Sequence, residues 1–459
     1  LTACDFLDEY NPNSVTVGNY YTSEEDIVAS LNGVYTSLTQ SYVADNYHYF
    51  TDVRANATVV TNSGANSGIP YQFYNYTLTE ENVYVYNRYS QLYKIISRAN
   101  TLFAHLGDVS YATPSARDTY EAEARFLRAL SYYWLVTEWG DVPLVLKVLE
   151  STEEVRANNY RRPKAEIYQA IFDDLKYVTE SPLLDVQPAS ACGKVSKAAA
   201  WALWGKALLQ QACDEDFIGS TAAWDLRKFG ELSSVSYSSV WDLSTQKSCA
   251  ENIFQVNYIQ GNADLGSVWN YMYGPEGAGV TSQRKGEMQN VTIQAVYDSF
   301  EPGDVRRSFL RATNKAGQTY YHTMKYADLE CGANGYGGNN WIVLRYADVA
   351  LMLAEAYYWS KEETLAKTWL NKVRERAGLG DWSGSDLRQG IYDERLHEFM
   401  QEGLRWQDLL RMYDRMEMLE HFSAINSNFS LKDLLLPIPY NERILNPEGL
   451  YQNPGYGSN

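Results

Sequence analysis

Apolar residues recur at three- and four-residue spacing in one stretch after another of this chain, a period that calls for stacked helices rather than a sheet. Ile27, Val28, Leu31, Val34, Tyr35 and Leu38 form the first stripe, and Thr22 with Glu25 is placed as a capping box ahead of it. A second helix is expected from about Tyr89 to Leu106, with Tyr93, Ile96 and Asn100 along it. Ala122, Phe126, Ala129 and Tyr133 line a third, which stops near Trp139-Gly140-Asp141-Val142-Pro143. Pro163 stands where a helix would begin, followed by Ile167, Ile171, Leu175 and Val178. A fifth stripe runs from Ala198 through Trp201 and Gly205 to Ala212, and a sixth joins Ala347, Leu351, Ala354 and Tyr358. Thr364–Ala377 and Tyr392–Met412 supply two more. Small residues along several stripes let backbones approach closely, as in tetratricopeptide-like helix pairs, although the period is irregular.

The expectation is a single globule, all-α dominated, with long irregular loops and a few short strands. Residues 1–20 read as a tether, and 21–459 as one helical domain. Its scaffold spans 21–213 and 341–459, with a loop-rich excursion over 214–340. One short strand is placed through Trp341-Ile342-Val343-Leu344, and Gly332–Gly338 reads as a flexible loop. Loops of this length in a compact chain usually carry function. These are rich in aromatics, and the chain holds 38 Tyr against 12 Trp and 14 Phe. Tyrosine joins a flat apolar face to a hydroxyl and suits surfaces that bind something partly polar.

Composition removes several function classes. The net charge of −18 argues against nucleic acid. No apolar run is long enough to cross a bilayer as a helix. His397-Glu398 begins like a zincin, but Gln401 stands where the second His is required. No phosphate-binding loop, nucleophile turn, calcium loop or Cys-x-x-Cys pair occurs, so no metal, cofactor or catalytic residue is assigned. Two of the many carboxylates could act as a glycosidase pair, but nothing singles them out. Glu398 with Glu402, and Arg405 with Asp408, have helical spacing and read as an ion-pair network.

The chain opens Leu1-Thr2-Ala3-Cys4, like the end of a bacterial lipoprotein signal, in which the Cys is lipidated. With Cys4 so used, Cys192, Cys213, Cys249 and Cys331 remain, in any of three pairings or as free thiols.

Four segments in order resemble the SusD/RagB family of outer-membrane nutrient-binding lipoproteins. They are Arg98-Ala99-Asn100 with Ala122–Ala129 and Trp139–Val145; Leu344–Val349 leading to Ala354-Glu355-Ala356; Glu394-Arg395 and Glu398 with Glu402–Leu409; and Leu436-Pro437-Ile438-Pro439 with Asn446-Pro447 and Gln452–Tyr456. The resemblance implies a non-catalytic surface lipoprotein, anchored in the outer membrane and facing the exterior. It would capture oligosaccharide or polysaccharide for a SusC-like TonB-dependent transporter. The family also includes peptide binders, and an α-helical glycan hydrolase is the alternative from another class.

Candidate ligand contacts come from two aromatic clusters. Tyr74, Tyr76, Tyr84, Tyr86 and Tyr89 crowd together with Asn82 and Arg88, and Trp269, Tyr271 and Tyr273 form the second. Tyr74/Tyr76 and Tyr84/Tyr86 alternate, which fits two short strands showing one face. Tyr93 is expected to face the core. In the family an aromatic one helical turn before the Tyr93 position often faces glycan, and Tyr89 stands there.

Overall fold

The structure is a computed structural model, and it describes residues 20–214, 231–274 and 288–457. Cys4, its tether and the Cys213 side chain lie outside the described residues.

Helices α1 (Glu24–Thr36), α2 (Val83–His105), α3 (Ala116–Trp139), α4 (Lys164–Glu180) and α5 (Lys197–Asp214) each pack on the next. A second group, α6 (Tyr346–Trp359), α7 (Glu363–Arg376) and α8 (Leu387–Glu398), packs together. Helix α5 touches both α6 and α9 (Arg405–Met412), which joins the two groups. One apolar core runs through α1 to α8, from Ile27 and Leu92 through Phe126, Ile171 and Leu203 to Leu351, Leu370 and Ile391, while Trp406, Leu409 and Met412 of α9 pack in a second cluster with Tyr76, Phe422 and Phe429. The helical stripes in the sequence are the faces that meet in it.

The helix ends differ in detail from the sequence reading. The capping box of α1 is Ser23 with Asp26, one residue beyond Thr22 and Glu25: the Asp26 N–H donates to Ser23 Oγ, and the Ser23 N–H to Asp26 Oδ2 at 3.0 Å. Helix α2 begins at Val83 rather than near Tyr89, because the Asn82 side-chain Oδ1 accepts the N–H groups of Tyr84 and Val85 at 3.0 and 3.1 Å.

The stretch Tyr392–Met412 is two helices, not one. The chain breaks after Glu398, with Gln401 and Gly403 at φ of 59° and 81°. The Gly403 N–H donates to Asp52 Oδ2 at 2.9 Å, and a Cβ there would lie 2.4 Å from Tyr47 Cε1. Gly403→Ala meets both the left-handed backbone and that ring. We expect it to lower the unfolding free energy by about 2–3 kcal/mol in denaturant titration.

Three small antiparallel sheets occur among the described residues. β1 (Val142–Pro143) pairs β2 (Arg161–Arg162), and β4 (Thr292–Ile293) joins the hairpin of β5 (Leu310–Lys315) and β6 (Gln318–Thr323). β3 (Asn252–Val256) pairs β7 (Trp341–Arg345), with Val256 opposite Trp341, so the part of the excursion from 257 to 340 begins and ends at neighbouring strands.

Buried ion pairs tie the excursion to the helices. Glu398 accepts from Arg345 at 2.6 Å, from Arg306 at 3.0 Å and from Arg376. Glu402 accepts from Lys325 at 2.5 Å and Arg345 at 2.8 Å. Asp408 accepts from Arg395 at 2.8 Å and Arg411 at 2.7 Å. Arg405 donates instead to the Tyr392 carbonyl at 2.7 Å, with Asp408 and Asp393 close enough to act on its charge.

Candidate ligand-binding site

The two irregular, tyrosine-rich stretches are laced together. Val59 bridges Val291, Thr292 Oγ1 donates to the Ala57 carbonyl at 3.0 Å, and Thr61 Oγ1 donates to the Met288 carbonyl at 3.0 Å. The Tyr49 hydroxyl donates to Gln289, and the Tyr273 hydroxyl donates to the Asp45 carbonyl. Where the stretches meet lies a recess of about 60 Å³. Rings of Tyr47, Tyr258, Trp269, Tyr273, Tyr326 and Trp341 wall it. Its lining residues Ala44, Asp45, Val268 and Trp341 are partly exposed and mark its mouth.

The break after α8 delivers Gln401, Glu402 and Gly403 to the recess lining. Gln401 is held there by accepting the Thr323 N–H at 2.6 Å and donating to the Asn290 carbonyl. The segment Gly332–Gly338 is pinned rather than flexible: Gly337 exchanges two 2.8 Å hydrogen bonds with Ser267, and the Gly338 N–H donates to Asp328 Oδ2 at 2.8 Å. A Cβ on Gly337 would stand 2.7 Å from Asn270 Nδ2 and 3.1 Å from Asp328 Cβ, so a larger residue there would have to displace the Asn270 side chain.

Burial sets the electrostatics. The His48 ring bonds the Asp45 backbone, and burial pushes its pKa down to about 3, so the imidazole is neutral. The Asp45 carboxyl is pushed up to about 7 by burial, against hydrogen bonds from Ser41 and Tyr258. The phenols of Tyr258, Tyr273 and Tyr326 are driven well above their usual range by burial and stay protonated. Four lining atoms are buried with no hydrogen-bond partner: His48 Nε2, Asn290 Oδ1, Tyr326 OH and Asn339 Oδ1. Unpaired buried polar atoms are rare in native proteins, and four on one recess suit a site that takes polar ligand groups.

Of the residues singled out in the sequence, Trp269 and Tyr273 line this recess. Tyr84 lies beside it. Its ring is 4.9 Å from Tyr42 and 5.6 Å from Tyr49, and its hydroxyl accepts from Asn66 at 2.8 Å. Tyr271 packs edge-on to Tyr336, and Tyr74 lies against Tyr71; these two and Tyr86 are partly exposed.

The other candidates face inward. Tyr76 donates to the Arg54 carbonyl at 2.8 Å and packs on Phe422 and Phe429. Tyr89 packs on Trp139 and on Tyr93, whose hydroxyl donates to the Pro143 carbonyl. Asn82 is spent on the α2 cap. Arg88 is fully buried, bonded to Glu138 at 2.5 and 2.6 Å.

The two expected strands are absent from this region. Tyr74 lies in a short helix, Tyr71–Asn75; Tyr76 caps it in left-handed conformation; Tyr84 and Tyr86 ride the first turns of α2. Residues two apart on a helix point to different sides, so these tyrosines share no face. The sequence reading missed Tyr47, Tyr258, Tyr326 and Trp341 as site residues. The one available signal was the aromatic run Tyr47-His48-Tyr49-Phe50.

Two family models match this chain. One, described as starch-binding associating with outer membrane, matches residues 5–209, and the other, the SusD family, matches residues 281–456. The chain belongs to the SusD family. SusD-like protein P2 of Formosa agariphila is 27% identical over 503 residues, covering 99% of this chain and 97% of the relative. SusD-like protein P25 of the same organism is 26% identical, covering 98% and 96%.

The fold is shared with solved SusD-family structures. Surface glycan-binding protein A from Bacteroides thetaiotaomicron, in complex with laminarihexaose, superposes with a TM-score of 0.76 at 21% identity, covering 94% of this chain and 99% of that one. A laminarin binding SusD-like protein superposes with a TM-score of 0.75 at 26% identity, covering 95% and 100%. Among the described residues of this SusD-family chain, no helix is long and apolar enough to cross a membrane.

Proposed function

We propose that this SusD-family protein is a surface glycan receptor that binds oligosaccharide or polysaccharide without cleaving it. It hands the glycan to a SusC-like TonB-dependent transporter, and acyl chains on Cys4 hold it in the outer membrane facing the exterior. One observation carries the binding reading: aromatic side chains from two distant tyrosine-rich stretches converge on a recess in which four buried polar atoms lack partners. A sugar ring offers apolar C–H groups to aromatic side chains at the mouth of the recess, and its hydroxyl-bearing substituents can reach such atoms inside. Each stacked ring is worth roughly 1 kcal/mol by analogy with aromatic pairs. Millimolar binding needs about 4 kcal/mol, so several contacts act together. Similarity to a SusD-like protein described as laminarin binding supports the same reading.

Affinity gels containing laminarin, starch or other polysaccharides test it. At least one is expected to retard the protein with no product released. Trp269→Ala and Tyr84→Ala are expected to weaken that retention about tenfold or more, equivalent to about 1.4 kcal/mol. Melting temperatures show that the variants are folded. Undiminished retention in both folded variants moves the site elsewhere. Mobility unchanged on every polysaccharide overturns the receptor reading, and product release turns it into a hydrolase.

A further inference from the structure

We propose that the inner end of the aromatic recess is a specificity pocket for the exocyclic hydroxymethyl group of a hexose, so that the protein selects hexose glycans over pentose glycans. This rests on the glycan reading above. The first ground is size. A recess of about 60 Å³ holds on the order of five waters at roughly 10–15 Å³ each. That admits a hydroxymethyl substituent but not a sugar ring, so the ring stays at the mouth, beside Trp341.

The second ground is hydrogen-bonding polarity. The Asn339 amide N–H donates to the Trp241 carbonyl at 2.9 Å, which leaves its Oδ1 as a free acceptor. His48 is neutral and bonds the Asp45 backbone through its other nitrogen, which leaves Nε2 as a lone pair. Asn290 Oδ1 is a third acceptor, and the Tyr326 hydroxyl can donate or accept. A group entering here must bring a donor and can also accept, which is what an alcohol does.

The third ground is charge, which separates an alcohol from an ammonium. Glu402 lines the recess but is already paired with Lys325 and Arg345. Asp45 lies at the mouth and already accepts hydrogen bonds from Ser41 and Tyr258. No unengaged carboxylate therefore stands at the inner end, among the described lining residues, to compensate a buried cation, and burying one uncompensated is costly. A neutral hydroxyl meets no such cost. A pentose ring carries no hydroxymethyl and would leave the acceptors as they are.

Calorimetry with the full chain tests the pocket. Laminarihexaose is titrated beside the xylose hexamer of the same linkage, and cellohexaose beside its own xylose counterpart. The hexose of at least one pair is expected to bind about tenfold or more tightly than its pentose partner. Tyr326→Phe removes one oxygen that bonds nothing else in the protein, so the fold is kept, and it is expected to narrow that ratio at least about threefold. His48→Phe is expected to narrow it as well. Equal affinities within every pair that binds overturn the pocket and leave the glycan reading standing, with water alone filling the recess. A ratio unchanged in both variants also overturns it. If none of the hexamers binds and the polysaccharide gels are likewise negative, the receptor reading itself falls, and the pocket falls with it. If only the gels bind, the pocket is overturned as a hexose selector.

Discussion

Glu398→Ala is expected to cost about 3–5 kcal/mol of folding stability, measured by denaturant or thermal unfolding. The carboxylate is fully buried among Arg306, Arg345 and Arg376, and its loss leaves these three buried guanidiniums to share Asp304, Glu394, Glu251 and Glu402, with one negative charge fewer in a cluster that cannot reach water. Pairing with these arginines holds its pKa far below the ordinary 4.5, and Lys206 and Arg395 do the same for Asp348, ordinarily 3.8. A carboxyl depressed in the folded state contributes stability that is complete above its unfolded pKa and is lost as pH falls below it. The melting temperature is therefore expected to drop as pH is lowered below about 4.5. That drop should be shallower in Glu398→Gln, which has no such proton to take up. Glu394, which shares Arg306, is shifted upward by burial and does not add to this acid slope.

Arg88→Ala is expected to cost a similar amount, about 3–5 kcal/mol, while glycan affinity of the folded variant stays within about twofold of the parent. Arg88 donates to both oxygens of Glu138 and to the carbonyls of Tyr42 and Val43, and its guanidinium lies over the rings of Tyr47 and Phe50. Removing it leaves Glu138 buried and unpaired. Thermal unfolding and affinity electrophoresis on one preparation read both effects. A variant that melts like the parent yet has lost its glycan would return Arg88 to the ligand site, where the sequence reading had placed it.

These two residues show what could and could not be seen in the sequence. Repeated apolar spacing identifies helices because every stripe must bury itself, so α3 through α7 are legible in the sequence. Glu398 and Glu402 were readable as ion-pair members from their spacing. Their partners Arg306, Lys325 and Arg345 were not, because pairing across so many residues is decided by tertiary packing. Arg88 and Tyr76 looked like surface groups because arginine and tyrosine usually keep their polar ends wet. Here the Glu138 carboxylate and the Arg54 carbonyl take water's place. The alternation of Tyr84 and Tyr86 suggested strands, since two matched positions in a short run cannot separate one period from another. The recess was illegible because Tyr47, Tyr258, Tyr326 and Trp341 are brought together only by the folded excursion.

The pairing of β3 with β7 sets Val256 directly opposite Trp341, so everything between them leaves and re-enters the helical body at one doorway. A segment hung this way can be exchanged between relatives as a cassette, without re-threading the helices. It carries two charged keys, Arg306 and Lys325, which must still fit the Glu398 and Glu402 locks, and it must also keep its hydrogen bonds to Asp45, Ala57, Val59 and Gln401. Transplanting residues 257–340 from a laminarin-binding relative with those keys retained should therefore move sugar preference as a unit, while the helical body keeps its own stability.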